Sequence, residues 1–169
     1  HVQSFFQGNR FLLPSLVEHV TALVPPGHRV LDLYAGVGLF AVSTAVAGGG
    51  TVTAVEGDPF AARDLEVNAS LARVPVDVVH RSVEAWLDSR PAAPDVVILD
   101  PPRTGVSPQA LPALIGLAAP RVIYVSCDIA TMARDARQFI EAGYRCEQVD
   151  GFDLFPNTPH VETVMVLTR

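Results

Sequence analysis

Short apolar runs separated by helix-length stretches constrain this chain more than any other feature of it. "VLDL" (about 29–33), "TVTAVEGD" (51–58), "VDVVH" (76–80), "DVVILD" (95–100) and "RVIYVS" (121–126) are too short for helices and rich in β-branched residues. That is the pattern of strands buried on both faces. Helices are expected from about Val37 to Ala47, from Pro59 through "FAARDLEVNASLAR", after Pro108, and through "DIATMARDARQFIEAG", which Gly143 ends. Such alternation makes a parallel sheet with helices on both faces. The last two strands, "YRCEQVDGFDLF" and "VETVMVLTR", leave little room for a crossover helix, so the final strand should run antiparallel. The expected fold class is α/β: a doubly wound, Rossmann-like, mostly parallel sheet of about seven strands. A leading helix is expected over 10–24. The 169 residues suit one domain, with 1–27 as leading segment and 28–169 as sheet core.

Residues 33–55 carry no charge, which raises the question of a membrane span. Gly36, Gly38 and the run Gly48 to Gly50 break the stretch, so it reads as loop, helix, turn and strand. No signal-peptide pattern is present. Eighteen acids against twelve bases, all of them arginine, give a net charge of −6. A chain of this balance is not a strongly basic nucleic-acid binder; phosphate affinity would come from a local arginine patch or from another domain. Two cysteines make neither a disulfide framework nor a four-thiolate metal site, and suit a reduced, cytoplasmic setting.

In a doubly wound sheet, ligands gather at the carboxyl ends of the strands. Asp32, Tyr34, Glu56, Asp100 and Cys127 are all expected there. The glycines of "YAGVG", Gly36 and Gly38, let backbone approach a ligand closely, and Glu56 can accept hydrogen bonds from both hydroxyls of a ribose. "GVGLFA" also fits the dinucleotide fingerprint, so these residues point to a nucleoside-containing cofactor, a nicotinamide or S-adenosylmethionine. In "LDPPR" two prolines force an extended loop able to hold Asp100 and Arg103 against a flat, polar base. Cys127 differs from Cys146, which reads as a bystander. It ends a strand on the ligand side, where Asp128 or Ser126 can cap the next helix. The positive end of that helix favours thiolate, and the charge of Asp128 opposes it. In "PHVETV", period-two alternation would put His160 and Glu162 on one face. H-x-E alone is a poor zinc signature, and no metal is expected.

"SFFQGN", "VLDLYAGVGLF", "VEGD", "ILDPPRTG", "YVSCDIATMARD" and "LFPNTPHVETV" occur in order. With them, the chain resembles the RNA (uracil-5-)methyltransferase family over essentially its whole length. The resemblance implies the class I S-adenosylmethionine-dependent methyltransferase fold. The implied activity is methylation of carbon 5 of a uridine in tRNA or rRNA, through a covalent cysteine–uracil adduct. Matched by motif, Cys127 is the nucleophile and Glu162 the proton acceptor. Gln7, Tyr34, Glu56 and Asp100 fall on cofactor positions, with Gly36 beside them. Arg103 is expected to stabilise an enolate oxygen or bind phosphate, and His160 to position Glu162. Ala35, Ile129 and Ser82 depart from residues frequent in the family, and none of the three is a reacting group. Family members usually carry an N-terminal RNA-binding domain, sometimes with iron–sulfur cysteines, so such a domain is expected outside this chain.

Two rivals remain at this stage. A nicotinamide-dependent oxidoreductase would use "GVGLFA" but leaves the Cys127 and Glu162 segments unexplained. A non-catalytic RNA-binding module could keep the fold, although it would have no use for either residue.

Overall fold

Alternation along each strand sorts the buried side chains of this protein into two layers. In a computed structural model, which describes residue 9 and residues 11–89 and 91–169, strand β4 (Val96–Leu99) illustrates the rule. Val96 and Ile98 face one core cluster, and Val97 and Leu99 the other. Helices α1 (Leu13–Ala22), α2 (Leu39–Val46) and α3 (Pro59–Ala72) cover the first layer through Leu16, Phe40 and Leu65. Helices α4 (Val83–Leu87), α5 (Ala110–Gly116) and α6 (Ile129–Glu141) cover the second through Val83, Leu114 and Phe139. A strand buried on both faces needs no polar side, which is why the apolar runs are continuous.

The other strands are β1 (Val30–Leu33), β2 (Val52–Glu56), β3 (Val76–His80), β5 (Arg121–Ser126), β6 (Arg145–Phe152) and β7 (Glu162–Thr168). The seven strands lie in the order β3-β2-β1-β4-β5-β7-β6. Neighbours from β3 to β5 pair in parallel, whereas β7 runs antiparallel to both β5 and β6. Both the strand number and the antiparallel last strand match the expectation. The insertion of β7 between β5 and β6 separates this sheet from the 3-2-1-4-5-6 order of dinucleotide-binding folds.

Local chemistry sets the helix starts. The Asp58 carboxylate accepts the Phe60 and Ala61 amides and caps α3, and the Asp128 carboxylate accepts the Thr131 amide at 2.9 Å and caps α6. Helix α2 starts at Leu39, later than the expected Val37, because Gly38 is left-handed (φ +90°). A Cβ at Gly38 would lie 2.9 Å from the Leu65 side chain, so the α2–α3 contact requires glycine there. Helix α4 was not expected, since five residues are too few to display a helical period. Ser82 marks it: its hydroxyl accepts the Ala85 amide at 3.2 Å. Among the described residues no helix is long and apolar enough to cross a membrane.

From β1 the chain proceeds to β2 and β3 on one side, and β4 returns to pair on the other. Loops leaving the carboxyl ends of β1 and β4 therefore diverge, and the crevice between them is where such sheets hold ligands.

Candidate active site

A cavity of about 630 Å³ opens at that crevice. One wall comes from β1 and β2. Tyr34, just past β1, has a left-handed backbone (φ +61°), which is strained for a tyrosine. The next amide, Ala35 N–H, is held by the Val55 carbonyl at 3.1 Å. Glu56 ends β2, and its two oxygens accept the Gly36 and Asp58 amides, each at 2.7 Å. The carboxylate thus fixes the glycine loop to the start of α3, and each oxygen keeps a second lone pair for a ligand. Burial, then the Glu84 charge, pushes the Tyr34 phenol up to about 12, so it stays a neutral hydrogen-bonding group.

The opposite wall is lined by Asp100, Arg103, Cys127 and Glu162. The antiparallel register pairs Ser126 of β5 with Thr163 of β7. The ladder ends there, with Cys127 the residue after Ser126 and Glu162 the residue before Thr163, and both line the cavity. Glu162 is buried, with 1% of its surface exposed. Cys127 is half-buried, and burial raises its thiol pKa above the ordinary value. Arg103 on the same wall pulls the other way, and the Glu162 charge adds to the rise. The sequence left the net direction open between the α6 N-terminus and the Asp128 charge, and in the structure it is upward. The physical reason is burial of the thiol, while the first-turn amide of α6 is taken by the Asp128 carboxylate.

Asp100 keeps some solvent contact, yet dense surroundings, then Glu162 and Asp32, push its carboxyl well above the ordinary range. Asp32 was expected on the ligand side, but it stands inside β1, fully buried, and is not part of the cavity wall. Neither of its carboxyl oxygens has a hydrogen-bond partner. Burial raises its pKa to about 8; the nearby Ala41 amide, outside hydrogen-bond geometry, opposes this, and Glu56 adds to it. At neutral pH Asp32 is thus largely protonated.

The structure therefore gathers Tyr34, Gly36, Glu56, Asp100, Arg103, Cys127 and Glu162 around one cavity. His160 does not line it. Strand β7 begins only at Glu162, so strand alternation does not reach His160, whose ring instead meets Phe155 edge-on at 6.5 Å. Gln7 lies outside the described residues. Phe155 lines the cavity without having been expected, because it sits in a proline-flanked loop with no period to mark it. Among the described residues no cluster of three or more His, Cys, Asp or Glu side chains could hold a metal ion.

Two family models match in succession. The TRM5/TYW2 methyltransferase domain matches residues 16–104, and tRNA (uracil-5-)-methyltransferase matches residues 87–169, the span that contains Cys127 and Glu162. An uncharacterised RNA methyltransferase of Thermotoga maritima is 36% identical over 98% of this chain, and another from Nitratidesulfovibrio vulgaris is 40% identical over 94%. The chain spans only 38% and 35% of the lengths of these two relatives. Among solved structures, Pyrococcus abyssi tRNA (uracil-54, C5)-methyltransferase in complex with S-adenosyl-L-homocysteine superposes with a TM-score of 0.88 at 34% identity. That match covers 99% of this chain and 41% of the other. The sheet order, the cavity at its switch point and these matches agree: the fold is that of class I S-adenosylmethionine-dependent methyltransferases, and the chain belongs to the RNA (uracil-5-)methyltransferase family.

Proposed function

We propose that this chain is the catalytic domain of an enzyme that methylates carbon 5 of a uridine in tRNA or rRNA, using S-adenosylmethionine and a transient bond between Cys127 and the uracil. The observation that carries the proposal is that the end of the β5–β7 ladder brings a thiol and a buried carboxylate, Cys127 and Glu162, to the lining of one cavity.

The cavity fits the cofactor. Its volume is within the range of small-molecule sites. Glu56 is already oriented by two amides and retains acceptor capacity for ribose hydroxyls. Asp100 supplies a carboxyl that a cationic ligand would help to ionise. Tyr34 and Gly36 complete the wall that carries Glu56, and Gln7 is assigned to the cofactor site by motif alone. When bound, S-adenosylmethionine supplies an electrophilic methyl group on a sulfonium.

The protein's own residues supply the rest. Carbon 5 of uracil is a weak nucleophile. Addition of the Cys127 sulfur to carbon 6 breaks the 5,6 double bond and sends its electron pair toward oxygen 4, leaving an enolate that is nucleophilic at carbon 5. Arg103, beside the thiol, stabilises the sulfur as thiolate and is placed to meet enolate or phosphate oxygen. Once carbon 5 bears the methyl group, Glu162 takes its proton, the double bond re-forms and the sulfur leaves with its electron pair. His160 touches Phe155 of the cavity wall, and a positioning role toward Glu162 would be indirect. A uridine within a helix must be turned out to reach Cys127.

A net charge of −6 leaves RNA affinity to a further domain, consistent with relatives more than twice as long, and free Cys127 and Cys146 fit a reducing cytoplasm. The decisive experiment incubates the complete protein with RNA and S-adenosylmethionine and runs a denaturing gel. Glu162→Gln should accumulate a slow-migrating protein–RNA adduct, because the carbon-5 proton stays and the sulfur cannot leave. Cys127→Ala should form none and make no 5-methyluridine. Normal turnover by Cys127→Ala would end the proposal.

A further inference from the structure

We propose that Asp135, on α6 and outside the cavity, is a positioning residue that clamps the loop carrying Arg103 to the strand and helix flanking Cys127. Asp135 is fully buried. Its Oδ2 accepts the Tyr124 hydroxyl at 2.7 Å and the Val106 amide at 2.8 Å. Its Oδ1 accepts two donors from Arg134, Nε at 2.9 Å and Nη2 at 2.7 Å. The same Nη2 donates to the Thr104 carbonyl at 2.9 Å. One carboxylate therefore joins β5, α6 and the loop after β4.

The loop is shaped for this contact. Gly105 is left-handed (φ +76°), and a Cβ there would lie 2.5 Å from Arg134 Nη2 and 2.6 Å from Asp135 Oδ2. Only a glycine lets the backbone pass that close to the ion pair. On either side, Thr104 and Val106 are bonded, and a turn closes from the Gly105 amide to the Pro102 carbonyl at 2.8 Å. Arg103 is inside that turn, so its backbone has little freedom. Tyr124 precedes Cys127 by three residues on β5, and α6 begins two residues after it. Both ends of the Arg103–Cys127 pair are thus anchored to the same buried carboxylate.

Stability alone is a poor explanation. Burying a charge to hold three elements is frequently no better than apolar packing, whereas fixing one geometry is what such networks do well. Here the geometry fixed is the placement of Arg103 and Cys127 on one wall of the cavity. The inference rests on Cys127 being the reacting thiol, but its test reads the thiol itself and needs neither RNA nor cofactor.

The test measures alkylation of Cys127 by iodoacetamide against pH in a Cys146→Ser background, with melting temperature recorded in parallel. Arg103→Gln should slow alkylation near neutral pH by about tenfold and move the profile to higher pH, which defines the full effect of the guanidinium. Asp135→Asn should reproduce most of that shift, and the double variant should add little to Arg103→Gln, as expected for residues acting in series. Tyr124→Phe removes a donor from the carboxylate but leaves both loop bonds, so it should lower the melting temperature with the profile unmoved. Arg134→Gln cuts the Thr104 tie from a half-exposed position and should shift the profile like Asp135→Asn, with Arg134→Lys restoring part of it. Should Asp135→Asn fail to fold, Arg134→Gln decides. A parental profile in Asp135→Asn or Arg134→Gln, or full additivity in the double variant, overturns the inference. Failure of the uracil mechanism would look different: Cys127→Ala would retain turnover whatever these profiles do.

Discussion

Where β1 and β2 face the cavity, the important groups are backbone amides gathered onto one carboxylate; where β4, β5 and β7 face it, they are side chains whose charge is in play. The Glu56 wall holds its shape through bonds to Gly36 and Asp58. The Cys127 wall holds a raised thiol, a raised carboxyl at Asp100 and a buried Glu162. The family matches divide near the same line, with residues 16–104 resembling one kind of methyltransferase and residues 87–169 another. A wall that recognises a nucleoside by fixed amides can serve many reactions. A wall of perturbed ionisable groups serves one, because its electrostatics must suit a particular bond being made.

If the two walls are separable in this way, variants should damage one function and spare the other. The largest effect is expected from Cys127→Ala, which should reduce methylation to background while leaving S-adenosylhomocysteine affinity within about twofold, since the thiol makes no charged contact a cofactor would share. Calorimetry on the same preparation checks both halves, and a large loss of affinity would erase the distinction. Glu56→Ala is the mirror experiment. Losing charged acceptors should weaken S-adenosylhomocysteine binding roughly 10- to 150-fold. The alkylation rate of Cys127 should stay parental; a concurrent change there would mean the glycine loop transmits to the other wall.

Asp32 lies beneath the first wall and predicts a pH effect. An unfolded aspartate titrates near about pH 4, whereas folded Asp32 holds its proton to about pH 8. Between those values the folded state binds the extra proton, so the stability tied to neutral Asp32 is complete below the lower value and is lost as pH rises through the upper. Asp32→Asn cannot ionise. Its melting temperature relative to the parent should therefore improve from about pH 5 to about pH 8, by an amount that reads the linkage directly. A pH-independent offset would show that Asp32 titrates normally. The smallest effect belongs to Cys146→Ser, an exposed position on edge strand β6, which should change stability by less than about 0.5 kcal/mol and leave both functions alone.

The strands were legible in the sequence because each is a continuous apolar run with an abrupt end, and two-sided burial demands that pattern. The glycine loop, Glu56, Cys127 and Glu162 were legible because they sit at strand ends, where topology assigns meaning to position. What escaped notice lacked a period or depended on distant partners. Helix α4 is too short to repeat, and Phe155 projects from a loop. Asp135 reads as one more polar residue of an amphipathic helix until Tyr124, Val106 and Arg134 are seen around it. Asp32 was misplaced because a carboxylate in an apolar strand suggests a ligand, whereas burial can instead keep it protonated. Strand alternation could not fix the place of His160, because β7 begins only at Glu162.

The reversal of β7 carries a consequence for how such an enzyme can diverge. Had the final strand run parallel to β5, its first residue would lie at the far end of the sheet from Cys127. Because it runs antiparallel, the separation of thiol and carboxylate is written into a hydrogen-bond ladder, Ser126 against Thr163, and not into the length of any connection. The loop over residues 153–161 can therefore grow, shrink or be redrawn without moving Cys127 relative to Glu162. A single residue inserted within β7 would do the opposite, turning every side chain on one side of the insertion to the other face and parting Glu162 from Cys127.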